Sequence, residues 1–211
     1  VRRMRTFSQA FQEEFRDLLK WRRDVRRFRT DPVPEDLLAE ALDAFRLAPS
    51  VGLSEPWRIV RVASPQARAA ALANFEAANA DALATYDGAD ADTYASLKLS
   101  GMREAPVQLA VFCNETGLKG KGLGRATMPE MLRYSVVSAL TLFWLEARAK
   151  GLGMGWVSVL DPDKLTRDLD VPAEWAFVAY LCVGWPETVD ETPELEQLGW
   201  EDRSTALEVL E

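Results

Sequence analysis

Five arginines fall within eight residues, Arg22, Arg23, Arg26, Arg27 and Arg29, in the run WRRDVRRFR. A guanidinium presents a planar fork of N–H donors that matches phosphate or carboxylate oxygens two at a time. Arg22, Arg23 and Arg26 stand at i, i+1 and i+4 and would converge if the segment leaves a helix end. The chain carries 25 Lys and Arg against 33 Asp and Glu, a net charge of −8. So local a positive island in an acidic chain suggests one anionic ligand rather than a polyanion surface, and no nucleic-acid partner is expected. A solvated face paired with Glu13, Glu14 and Asp17 is the competing reading, and spacing alone leaves both open. Asp24 lies inside the island. It is either a plain ion-pair partner or a carboxylate held over a reactive group as general acid or base.

The sequence contains no histidine and two cysteines. A Ser-His-Asp or Cys-His dyad, an imidazole metal site and a four-thiolate zinc site are therefore all excluded, and no metal is expected. Cys113 and Cys182 sit inside the apolar runs VQLAVFC and FVAYLCVGW, and both read as small buried residues in a reducing cytoplasm. Catalysis must then use Asp, Glu, Arg, Lys, Ser, Tyr or backbone amides, or borrow a cofactor. The Gly151-Leu152-Gly153-Met154-Gly155 stretch follows a helix and precedes a strand, the reverse of the dinucleotide fingerprint, and residues 117–124 lack the GK[ST] of a P-loop.

These groups need a scaffold. The chain has 211 residues, 48% hydrophobic and 27% charged, an ordinary globular composition that fits one domain over residues 1–211. The apolar run at 177–185 is too short to span a bilayer, so no membrane is expected. The basic start VRRMRTFSQAFQEEF has no apolar h-region and does not read as a secretory signal. Phe11, Phe15, Leu18 and Leu19 recur at helical spacing behind a candidate N-cap, Ser8. A second helix follows Pro34, and the Ala-rich residues 65–84 predict a third. Tyr86–Asp92 reads as a polar connection. Thr127–Lys150 predicts the longest helix, with Thr127 and Glu130 matching a capping box and Gly151 closing the end. Strands are expected at Trp57–Ala63, Val107–Cys113, Met154–Leu160 and Trp175–Val183. Alternation of strands and helices indicates α/β or α+β architecture. The acidic tail after Pro186 reads as an arm that could pack on a partner subunit. Trp57, Trp144, Trp156, Trp175, Trp185 and Trp200 are core candidates, any of which could instead stack on a planar ring.

Taken together, the segments WRRDVRRF, LAPSVGLSEPWRIV, LKLSGMREAPVQLAVFC, GRATMPEMLRYSVVSALTLFWLEARAKGLGMGWVSVLDP and GWEDR, in that order, resemble the flavin-destroying branch of the nitroreductase-like family. The ordinary reductases of that family usually carry Ser at the position of Asp24. The resemblance implies an α+β nitroreductase-like fold, with a central, mostly antiparallel sheet flanked by helices. It also implies an intertwined homodimer built on the Thr127–Lys150 helix, with FMN at the subunit interface. Reduced FMN would react with O2 and be cut to 5,6-dimethylbenzimidazole, the lower ligand of vitamin B12, and erythrose 4-phosphate; a separate flavin reductase would supply it.

Carried over residue by residue, Arg22, Arg23 and Arg26 match phosphate and ribityl contacts, with Asp24 and Val25 between them. Arg203 matches an arginine that closes on the phosphate from the other subunit. Ser50, Pro56 and Trp57 match positions lining the ring, Lys98 and Leu99 a segment over its other face, and Gly155, Trp156 and Ser158 its edge. Asp24 and Ser158 match the residues tied to ring cleavage. An NAD(P)H-dependent FMN nitroreductase or flavin reductase is the rival reading, and a flavin-sequestering protein a third.

Overall fold

In the computed structural model, residues 6–209 are described, and the basic residues 1–5 lie outside them. The first helix, α1, spans Gln9–Trp21 and begins as the sequence predicts, with Ser8 Oγ accepting the Phe11 N–H at 3.2 Å. None of its residues is buried, and Phe7, Phe11 and Phe15 stack along one side with ring centroids 4.7 and 6.2 Å apart. Arg22 leaves the helix in extended conformation, so the arginine island starts where α1 stops.

Four strands, β1 (Trp57–Arg61), β2 (Val107–Asn114), β3 (Gly153–Val157) and β4 (Trp175–Gly184), form one sheet in the order β1-β2-β4-β3. All three pairings are antiparallel. β2 and β4 are central and apolar on both faces, as strands covered on both sides must be. On one face Leu109, Val111, Leu181 and Val183 pack with Val136, Leu140 and Phe143 of helix α5 (Met131–Ala149) and with Leu38 and Ala41 of α2 (Glu35–Asp43). On the other, Ala110, Phe112, Tyr180 and Cys182 pack with Ala71 and Phe75 of α3 (Pro65–Leu83). This is the α+β arrangement expected.

Several boundaries differ from the sequence reading. α5 starts at Met131, not Thr127, and its N-cap Glu130 makes no side-chain capping bond. Thr127 Oγ1 instead donates to Gly124 O at 3.0 Å. Pro129 explains the shift, because the residue before a proline is disfavoured in helical conformation. Within the expected connection 86–92 a helix, α4 (Gly88–Ser96), begins; its composition is poor for helix, but Tyr94 is buried against Tyr86, and tertiary packing outweighs propensity. A short α6 (Pro162–Asp168) was also not predicted; Asp161 caps it by accepting Lys164 N–H at 2.9 Å. β3 ends at Val157 rather than Leu160, where Leu160 N–H turns back to Ser158 O at 3.0 Å.

The tail does not project as an arm. It folds along its own chain, through a Phe28–Pro186 bridge, a Glu187 N–H to Arg27 O bond of 3.1 Å and a short helix α7 (Glu194–Gln197).

Candidate active site

The free edge of β3 positions the arginine island. Asp24 bridges Met154 in parallel, and Val25 N–H donates to Met154 O at 3.0 Å. This crossing is so close that a Cβ at Gly155 would lie 2.1 Å from Val25 O, and one at Gly153 would lie 2.8 Å from Val25 Cγ2. Glycine at 153 and 155 thus serves backbone approach, which is why the Gly-rich stretch looks like a nucleotide motif without being one. Asp24 then turns its side chain onto the same edge. Its Oδ1 accepts the Trp156 N–H at 2.8 Å, and its Oδ2 accepts Arg26 Nε at 2.8 Å. The ion-pair reading of Asp24 is what the geometry shows, its carboxylate held by two donors while the residue also lines the cleft beside it.

That cleft, about 390 Å³, is lined by Arg23, Asp24, Val25, Arg26, Trp144 and Met154, among others. Arg22 stacks its guanidinium over the Trp144 ring at 4.5 Å, a contact that favours a planar cation. Burial pulls the Arg22 guanidinium below its ordinary value, Asp24 pushes it back, and Arg203 pulls it down again. Burial likewise lowers Arg23, and Arg203 and Arg22 lower it further. Arg203 therefore approaches Arg22 and Arg23 of its own chain, where donation from another subunit was expected. The tail wraps so that Glu191 O accepts Arg23 Nε at 2.6 Å and Glu194 pairs with Arg27, and this brings residue 203 back to the island. Clustered cations destabilise each other's charge, and an anion relieves them.

Lys98 and Leu99 join this group. Lys98 O lies 3.4 Å from Arg26 Nη1, and Lys98 Nζ pairs with Glu104 Oε1 at 2.6 Å. Ser158 is exposed just past the end of β3, two residues beyond Trp156, and its hydroxyl makes no hydrogen bond to another described residue. Arg22, Arg23, Asp24, Val25, Arg26, Lys98, Leu99, Gly155, Trp156, Ser158 and Arg203 are thus gathered along one sheet edge.

Ser50, Pro56 and Trp57 are not. Trp57 pairs with Cys113, whereas Met154 pairs with Val183, itself opposite Val107. The two rows are six residues apart on β2 and three strand spacings apart across the sheet, which at strand dimensions is roughly 25 Å. Pro56 and Trp57 line a different cavity of about 400 Å³ with Ser54, Arg58 and Asn114. Their loop is tightly held. Ser50 Oγ accepts Glu55 N–H at 3.1 Å, Val51 N–H donates to Ser135 Oγ at 3.0 Å, and Gly52, Leu53 and Glu55 take left-handed backbone. Backbone of that kind persists where its surroundings over-determine it. Two sets of site residues that far apart on one chain cannot touch one ring, so a ring touched by both must lie between two copies.

The sequence reading took Trp144 as a core candidate rather than a wall of this cleft, and treated the acidic tail as an arm. The signal was present: the tail run ETVDETPELE is the acidic complement of the basic island, and opposite charges that far apart in sequence point to folding back.

The "Nitroreductase family" description matches residues 19–185. A 5,6-dimethylbenzimidazole synthase of Rhodospirillum rubrum is 56% identical over 197 residues, covering 93% of each chain. One of Rhodobacter capsulatus is 48% identical over 196 residues, covering 93% of this chain and 95% of that one. In fold, the crystal structure of an oxidized iodotyrosine deiodinase bound to FMN and 3-iodo-L-tyrosine superimposes with TM-score 0.72 at 22% identity, covering 93% of this chain and 96% of that chain. With the antiparallel sheet, the edge-bound arginine island and this coverage together, the chain belongs to the nitroreductase family.

Proposed function

We propose that this protein is an oxygen-dependent enzyme that fragments reduced FMN to 5,6-dimethylbenzimidazole and erythrose 4-phosphate. The observation that carries it is the Asp24 carboxylate, fixed at 2.8 Å by Trp156 N–H and at 2.8 Å by Arg26 beside a cluster of arginines. Near full-length relatives named 5,6-dimethylbenzimidazole synthase support the same reading.

The residues present fit a phosphorylated flavin. Burial first, and then the like charge of Arg203, lowers the pKa of Arg22 and Arg23, and the three arginines together would form a socket for a doubly charged phosphate. Arg26 sits between Asp24 and the Lys98 carbonyl, placed for ribityl oxygens. The exposed edge of β3 beyond Asp24, at Trp156 and Ser158, offers backbone groups and a free hydroxyl to the polar rim of the ring. Reduced FMN brings the electrons for O2 activation and is itself the molecule taken apart, so neither histidine nor a metal is required.

The chain's residues then have separable tasks. The arginines bind and orient. Asp24, anchored through both oxygens but retaining free lone pairs, accepts or returns a proton at its carboxylate. Ser158 Oγ, unengaged, orients the ring edge or hands on a proton. Lys98 and Leu99 cover the opposite face and exclude water, which would keep the reaction with O2 from ending in release of free peroxide. Ser50, Pro56 and Trp57 complete the ring's surroundings from the second copy of a homodimer. A separate reductase supplies reduced FMN, and the enzyme works in the cytoplasm.

One assay tests the reading. Purified protein mixed with chemically reduced FMN in air yields dimethylbenzimidazole, detected by mass. Rapid NADH-driven turnover of bound FMN without that product would favour a flavin reductase, and tight FMN binding without turnover a sequestering protein.

A further inference from the structure

Arg203 lies near enough to Arg22 and Arg23 to act on their charge, on a tail whose Glu191 O accepts Arg23 Nε at 2.6 Å, and no carboxylate forms an ion pair with it among the described residues. Something other than charge must keep it there while the anion is absent. Three residues earlier, Trp200 is half-buried in a cluster of rings. Its centroid lies 5.6 Å from Tyr86 and 6.1 Å from Tyr94, edge-on to both, and the two tyrosines stack at 4.9 Å. Tyr94 is buried, and its hydroxyl donates to Asn79 Oδ1 of α3 at 2.9 Å. The platform is therefore tied to the body of the protein.

The approach of Trp200 to this platform is also fixed. α7 ends with Gly199 at φ +70°, Gly199 N–H donating to Glu196 O at 3.1 Å and Trp200 N–H to Leu195 O at 2.8 Å. That is the double-bonded helix stop in which a left-handed glycine sets the direction of the next residue. α7 is itself held to the island, Glu194 pairing with Arg27. Three extended residues span at most about 10 Å, so a seated Trp200 confines Arg203 to the neighbourhood of the pocket.

We propose that Trp200 is a positioning residue for the anion socket: lodged against Tyr86 and Tyr94, it holds Arg203 beside Arg22 and Arg23 before phosphate arrives. The proposal rests on the reading that this socket takes the FMN phosphate.

The test compares FMN with riboflavin, which lacks the phosphate, by flavin-fluorescence titration of the full chain. Arg203→Ala is expected to weaken FMN at least tenfold and leave riboflavin within about twofold. Trp200→Ala is expected to weaken FMN about tenfold, again sparing riboflavin. Because both act through one guanidinium, the double variant should bind FMN no more than about twofold worse than Arg203→Ala alone. Trp200→Phe should restore most of the loss. Gly199→Ala, which strains the turn without removing a ring, should reproduce it in part, and these two variants decide the matter if Trp200→Ala does not fold. Equal loss of both ligands, multiplying losses in the double variant, or an unchanged FMN affinity in Trp200→Ala would overturn the role of Trp200. If Arg203→Ala itself binds FMN normally, the phosphate reading fails first and the proposal with it.

Discussion

Replacing Asp24 by asparagine keeps the side chain's shape and removes its charge. The carbonyl of the amide can still accept the Trp156 N–H, held at 2.8 Å. The amide nitrogen then faces Arg26 Nε, at 2.8 Å in the native pair, so donor meets donor. The Arg26 side chain is 12% exposed, too buried for water to replace the lost acceptor in full. A charge-assisted bond of this kind is worth about 1.5–3 kcal/mol. In a chain of this size each kcal/mol moves the melting temperature by about 2–4 °C, so Asp24→Asn should melt about 3–12 °C lower. The proposed phosphate socket, Arg22, Arg23 and Arg203, does not include Asp24, and FMN affinity should stay within several-fold. Product formation should fall about 10²–10⁴-fold, the range for loss of a positioned acid or base. The assay is reduced FMN in air with dimethylbenzimidazole quantified by mass, run beside a thermal melt and an FMN titration. Normal yield from a protein that melts lower would remove Asp24 from the chemistry and leave it a tether. Unchanged melting would refute the geometry on which the estimate stands.

Gly155→Ala should be severe, since its Cβ would meet Val25 O at 2.1 Å; the island must lift off β3, and both thermal stability and FMN binding should drop, whereas native binding would show that the edge can slide. Burial pushes Cys113 up to about 11 and Cys182 up to about 12 from an ordinary 9.0. Above pH 9 the unfolded chain releases those protons first, so stability is full below that pH and falls as pH climbs towards 11 and 12. The slope is up to about 1.4 kcal/mol per pH unit for each thiol. Urea midpoints at pH 8 and 10 measure it, and the Cys113→Ala, Cys182→Ala protein should show a shallower fall than native. With the proposed homodimer, the separation of Trp57 from Asp24 predicts that co-expressing Arg23→Ala chains with Trp57→Ala chains restores activity lost in each alone, because a mixed pair would keep one intact site. Absence of rescue would mean that both sets serve one chain.

Much of the site was legible in the sequence because it is written in short segments. The island's residues are nearly consecutive, the α1 stop that frees them follows from local spacing and capping, and β2 and β4 announce themselves as apolar runs, so these elements and the clustering of Arg22, Arg23 and Arg26 needed no third dimension. The absence of histidine excluded whole classes of chemistry outright. What local rules could not reach were contacts between residues far apart along the chain. Gly155 matters because Val25 crosses it, α4 forms because Tyr94 finds Tyr86 and Trp200, and Arg203 returns to its own chain because an acidic tail is drawn back over a basic strand edge. The start of α5 moved for a local reason, Pro129, that the capping pattern concealed. The separation of roughly 25 Å between Trp57 and the Asp24 edge of one chain is set by the strand order β1-β2-β4-β3. Strand order depends on which apolar faces bury each other, and no stretch of this sequence carries that information alone.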